Sequence, residues 1–152
     1  MDILNKYPHC IDEQLNKTTQ TNVVLKEKGR RYCLRNNTNS WQVTKIQIEN
    51  CVIKSIGEKG CEAILIVEKE NFKSRGYFIE LKGISVGHAF KQIENSLNKT
   101  VADLKNVALF GRVIPSEYKR NKFLESKEQR LILRFKNLGG NFIVRENCED
   151  EI

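Results

Sequence analysis

Residues 60–83 read GCEAILIVEKENFKSRGYFIELKG, and this stretch decides the fold class. Ala63 to Val67 is an unbroken apolar run rich in branched side chains, the pattern of a strand covered on both faces. A polar loop from Glu68 to Gly76 leads to Tyr77–Lys82, a second strong strand ended by Gly83. The two runs are expected to be neighbours in one sheet, with the first near its centre.

Upstream, Trp41 to Ile53 places Val43, Ile46, Ile48 and Val52 among polar neighbours. This reads as a longer strand with an irregularity around Asn50. Before it, Val23–Leu25 and Arg31–Arg35 flank Gly29 and can pair as a hairpin. Downstream, Ser85 caps a helix whose apolar residues Val86, Ala89, Phe90, Ile93 and Leu97 share one narrow face. Val107 to Ile114 is another buried strand, stopped by Pro115. The charged segment Ser116 to Leu138 reads as mainly helical with a Gly139-Gly140 terminus, and Phe142 to Val144 is a final short strand. The class is therefore α/β, a mixed central β-sheet flanked by helices.

Length and composition set the frame for this core. A chain of 152 residues with 39% hydrophobic and 30% charged side chains suits one ordinary domain. Residues 1–20 are polar, carry Pro8 and read as a loosely ordered arm, 21–146 as a single domain, and 147–152 as a frayed acidic tail. The chain lacks an apolar run of about 18 residues, the length that spans a bilayer. The first residues also lack a signal-peptide core, so a cytoplasmic protein without a membrane partner is expected. Five scattered cysteines, with no CxxC and two histidines, point to reduced, packed thiols rather than a disulfide framework or a zinc module. His9 and His88 receive no chemical role. The net charge of +7 favours a polyanionic partner. Its basic residues group as Lys26, Lys28, Arg30 and Arg31 and as Lys119, Arg120 and Lys122, two candidate phosphate-binding clusters.

The chemistry is carried by Glu80-Leu81-Lys82. Residues two apart on a strand face the same way, so Glu80 and Lys82 share a site. Burying that pair beneath a sheet would cost several kcal/mol, which favours an open sheet end where the two side chains meet a metal and a phosphate. Glu62 opens the neighbouring strand and supplies a second carboxylate. Hard oxygen ligands hold Mg²⁺ and leave water positions open, while the lysine orients water or balances developing negative charge. An isolated E-x-K tripeptide is common in proteins. Its strand-loop-strand-helix setting is what makes it informative here.

With these residues in place, the sequence resembles the PD-(D/E)XK nuclease superfamily, the group of restriction endonucleases and Holliday-junction resolvases. Gly60–Ile66 matches the first acidic strand, Tyr77–Gly83 the second, and the helix from Ser85 follows directly. The resemblance covers about residues 40–114 and implies a restriction endonuclease-like core of helix, three strands, helix and strand. It further implies Glu62 and Glu80 as metal ligands, with Glu62 in place of the usual aspartate, and Lys82 as catalytic lysine. Gln92 stands where some members place a helix glutamine at the site, and Glu49 offers an additional metal-linked carboxylate. The implied function is a Mg²⁺-dependent endonuclease, with Mn²⁺ as a substitute, acting on DNA as a homodimer or within a larger complex in restriction, phage defence, repair or recombination. The alternative is a catalytically degenerate nucleic-acid-binding or assembly subunit on the same fold.

Overall fold

The computed structural model describes residues 1–83 and 85–152. In chain order the elements are α1 (Asp2–Lys6), β1 (Asn22–Glu27), β2 (Arg30–Arg35), β3 (Gln42–Gln47), β4 (Ala63–Glu68), β5 (Arg75–Lys82), α2 (Val86–Thr100), β6 (Ala108–Pro115), α3 (Lys122–Asn137), β7 (Phe142–Val144) and β8 (Cys148–Glu151). Five strands form a mixed sheet in the order β3-β4-β5-β6-β7, and β1-β2-β8 form a second sheet. Strands β3, β4 and β5 run antiparallel in succession, and β6 lies parallel to β5 after the crossover through α2. A parallel neighbour requires such a crossover.

Alternation along the strands divides the interior into two cores. Ile46, Ile64, Ile66 and Phe78 face the helices and join Ala89, Phe90, Ile93 and Leu97 of α2 with Leu131 and Phe135 of α3. Val43, Leu65, Val67, Tyr77 and Ile79 face the other way, against Val23, Leu25, Tyr32 and Leu34 of the small sheet. The large sheet thus carries helices on one face and a second sheet on the other, in place of the expected helical flanks. The β1–β2 hairpin turns through Lys28 and Gly29, both at positive φ, the two-residue geometry that matches strand twist.

The chain ends are built into the fold. Ile3 is fully buried, and the first 20 residues are bridged to the edge strand β3 through Ile11–Ile46 and Thr18–Val43. They are therefore a packed edge rather than a loose arm. The acidic segment at 148–151 is strand β8, parallel to β2. It is held by Asp150, whose carboxylate accepts from Arg112 Nε at 2.8 Å, Arg112 Nη2 at 3.1 Å and Tyr32 Oη at 2.8 Å. Arg112 is 2% exposed and its guanidinium stands near the Tyr77 and Phe110 rings, so the pair satisfies a buried charge rather than decorating the surface. A frayed tail is not what these contacts describe.

Two further expectations change. The strand from Trp41 ends at Gln47, and residues 48–53 form a turn with Asn50 at φ 61° and a Glu49–Ile53 bridge. Cys10 and Cys51 are joined in a disulfide across a sequence separation of 41, while Cys33, Cys61 and Cys148 are free and buried. Spatial apposition across the edge of β3 pairs these two cysteines, which spacing alone did not indicate. No helix among the described residues is long and apolar enough to cross a membrane.

Candidate functional site

Glu80 lies near the carboxyl end of β5, opposite Val113 of β6. It shares the helix-facing side with Phe78 by alternation, yet its carboxyl group sits where the apolar core gives way to a cleft of about 650 Å³. That cleft is bordered by Glu49, Glu62, Glu80, Lys82 and Gln92, by Glu27, Lys28 and Arg30 from the β1–β2 hairpin, and by Lys59. All five residues read from the sequence as the chemical constellation therefore border one cavity. Lys26, Arg31, Lys119, Arg120 and Lys122 do not border it. Arg120 is engaged elsewhere, 3.4 Å from Glu128 and stacked on Tyr118.

Glu80 is 4% exposed. Burial pushes its carboxyl up to about 8. Lys82 and the Glu62 N–H, which donates to Glu80 Oε1 at 2.9 Å, pull in the opposite direction, and the charges of Glu62 and Glu49 add to the rise. Glu80 is thus largely protonated at pH 7, chiefly because burial disfavours its charged form. Among the described residues Lys82 makes no ion pair with it within 4.0 Å. The two share the cleft without neutralising one another.

Glu62 is half-buried, and its carboxyl is raised by burial and by Glu27, with Lys45 opposing. Cys61 belongs to the helix-side core and Ala63 to the core between the sheets. Alternation therefore slips at Glu62. Its amide, rather than its carboxylate, touches Glu80. Polar residues of α2 fix this approach: Gln92 Nε2 donates to Gly60 O at 3.1 Å, Asn95 Nδ2 to Lys59 O at 3.0 Å, and Ser96 Oγ accepts from the Cys61 N–H at 2.7 Å. Gln92 is accordingly a buried strut for the chain entering β4.

Three buried side-chain polar atoms among the described residues have no hydrogen-bond partner, and two of them, Arg30 Nε and Gln92 Oε1, belong to residues bordering the cleft. Arg30 crosses from the small sheet to donate to Ser116 Oγ at 3.0 Å, and its remaining carboxylate contact, to Glu27, is 4.0 Å long. Arg30 Nε and Gln92 Oε1 are both buried in the wall of the cleft rather than open to it.

The donor set suits a hard divalent cation: Glu80 and Glu62, with Glu49 nearby, present only oxygen. These carboxylates do not form a trio of ligand atoms within 4.8 Å of one another. Among the described residues the one such trio of His, Cys, Asp or Glu is His9, Cys10 and Cys51. Mg²⁺ commonly uses one or two protein carboxylates and keeps several waters, so Glu80 and Glu62 would need water to complete a coordination shell. Sequence reading missed Glu27, which ends β1 in the other sheet, and Lys59, which lies in the loop leading to β4. His88, exposed on the first turn of α2, bonds Ser85 Oγ at 3.1 Å. Comparison of the chain with protein-family models, curated proteins and solved structures found no match.

Proposed function

We propose that the protein is a metal-dependent endonuclease-like enzyme that hydrolyses DNA phosphodiester bonds. The observation that carries this reading is Glu80, a buried carboxyl group raised to about 8 at the wall of a cleft shared with Lys82, Glu62 and Glu49. Glu80 and Glu62 would hold Mg²⁺, or Mn²⁺ in its place, with Glu49 as a further oxygen donor. Bound there, the metal supplies a Lewis acid that lowers the pKa of a water and withdraws charge from a phosphate.

The remaining work falls to the chain itself. Lys82 supplies an ammonium that would balance charge developing on the phosphate. Arg30 places a planar guanidinium at the border of the cleft, a group suited to phosphate oxygens. Lys28 and Lys59 extend the positive rim, and Lys26, Arg31, Lys119, Arg120 and Lys122 would contact the backbone of a longer duplex. Gln92 positions the segment leading to Glu62. Cutting both strands of a duplex calls for two such sites, hence a homodimer or a larger complex, acting in the cytoplasm in restriction, phage defence, repair or recombination. The order of α1, β3, β4, β5, α2 and β6 is compatible with a restriction endonuclease-like core, with the β1–β2 hairpin inserted after the first helix.

A second reading, a nucleic-acid-binding or assembly subunit that does not cut, is favoured by one observation: Glu62 turns its amide rather than its carboxylate to Glu80. Incubating supercoiled, linear, branched and single-stranded DNA with Mg²⁺ or Mn²⁺ separates the two. Metal-dependent cleavage lost in Glu80→Ala and Lys82→Ala supports the enzyme. Salt-sensitive DNA binding without cleavage selects the subunit.

A further inference from the structure

His9, Cys10 and Cys51 bring one imidazole and two sulfurs within 4.8 Å of one another, and nothing proposed for the cleft uses them. They converge from two segments that the backbone holds in place independently of the sulfur–sulfur bond. The turn Pro8–Cys10 continues into Ile11, bridged to Ile46, and into Asp12, whose N–H donates to Lys45 O at 3.0 Å. In the turn after β3, the N–H groups of Cys51 and Ile53 both donate to Ile48 O, at 3.2 and 3.0 Å. Opening the disulfide therefore leaves two thiols and an imidazole apposed. His9 and Cys10 border a cavity of about 380 Å³ that Asp12, Lys45, Glu49 and Glu62 also line.

We propose that, once the disulfide is reduced, His9, Cys10 and Cys51 form a site for a thiophilic divalent cation of the zinc class. A dithiol reductant supplies two electrons and two protons: the Cys10–Cys51 bond breaks, each sulfur gains a hydrogen, and the reductant leaves as its own disulfide. The incoming cation displaces both thiol protons and is held by two thiolates and one imidazole nitrogen. Three protein ligands would leave a fourth position for water or a carboxylate. This soft set differs from the oxygen donors around Glu80, so Mg²⁺ does not compete for it. The disulfide is the closed form of the site, because two sulfurs bonded to each other cannot act as thiolate ligands. Cys33, Cys61 and Cys148 are buried and lie outside the cluster.

The test uses the full chain in two states, oxidised and anaerobically reduced with the reductant removed, each titrated with Co²⁺ as a coloured stand-in for Zn²⁺. The reduced protein is expected to develop thiolate-to-cobalt charge-transfer absorption that saturates at one ion per chain and is displaced by Zn²⁺. The oxidised protein and Cys51→Ser are expected to develop none. Because His9 is exposed, His9→Ala leaves the packing intact and is expected to bind about tenfold more weakly or worse. Absence of the absorption in the reduced chain, its persistence in Cys51→Ser, or unchanged affinity in His9→Ala overturns the proposal. None of these readouts depends on DNA cleavage.

Discussion

Replacing Glu80 with glutamine removes an ionisation from the cleft wall while keeping an oxygen to accept from the Glu62 N–H. The carboxyl titrates at about 8 in the folded protein against an ordinary 4.5. Below about pH 4.5 both folded and unfolded chains hold the proton, and the group has no effect. From there to about pH 8 the folded chain keeps a proton that the unfolded chain has lost, so stability falls as pH rises. Above pH 8 both are ionised and the full cost is present. At about 1.4 kcal/mol per pH unit the gap amounts to about 5 kcal/mol, or about 3–5 after local relaxation. Chemical denaturation of parent and Glu80→Gln from pH 5 to pH 9 measures it. The two proteins should be nearly equal at pH 5 and diverge with rising pH, the variant being the more stable by several kcal/mol at pH 9. Parallel curves would mean that Glu80 ionises in the fold as it does in water, and that its burial carries no cost.

Breaking the Arg112–Asp150 pair with Asp150→Asn should destabilise the protein by about 3–5 kcal/mol, because it leaves a buried guanidinium without its counter-charge; the loss is read as a shift in the denaturation midpoint at constant slope. Arg30→Ala should weaken binding of a short DNA duplex and flatten its dependence on salt by about one phosphate contact, the slope of log K against log salt becoming less steep by about 0.9. Binding and slope unchanged from the parent would remove Arg30 from the phosphate path.

How much of this was legible beforehand depends on what each element is stabilised by. β4, β5, β6 and α2 are held by apolar contacts whose periodicity is written in the sequence: Ile64 and Ile66 alternate with Leu65 and Val67 between two cores, and Val86, Ala89, Phe90, Ile93 and Leu97 all point inward. The segments misread as loose are held by other means. Residues 1–20 are ordered by a few buried side chains, Ile3 and Cys10 among them, and by backbone bonds to an edge strand. β8 reads Cys-Glu-Asp-Glu, and its inward partner is a charge, Asp150, matched to an arginine 38 residues away. Neither leaves a local hydrophobic pattern.

The cleft was legible as residue types and less so as orientations. Glu80 and Lys82 lie two apart on a strand, and Gln92 lies nearly two turns into a helix whose register its apolar neighbours fix. The slip of alternation between Cys61 and Ala63 depends on the long-range bond to Ser96, and so the direction of the Glu62 carboxylate could not be read from its place before β4. Glu27 and Arg30 enter from another sheet altogether.

In the proposed enzyme Glu80 is the principal carboxyl of a divalent-metal site. Titrating Mg²⁺ into the protein calorimetrically at pH 7, in two buffers with different heats of ionisation, tests this role most directly. Because burial keeps Glu80 largely protonated at that pH, binding should release close to one proton per ion, and Glu80→Gln should abolish both the binding and the release. Mg²⁺ binding that persists unchanged in Glu80→Gln, or no binding by the parent protein, would rule out Glu80 as a metal ligand.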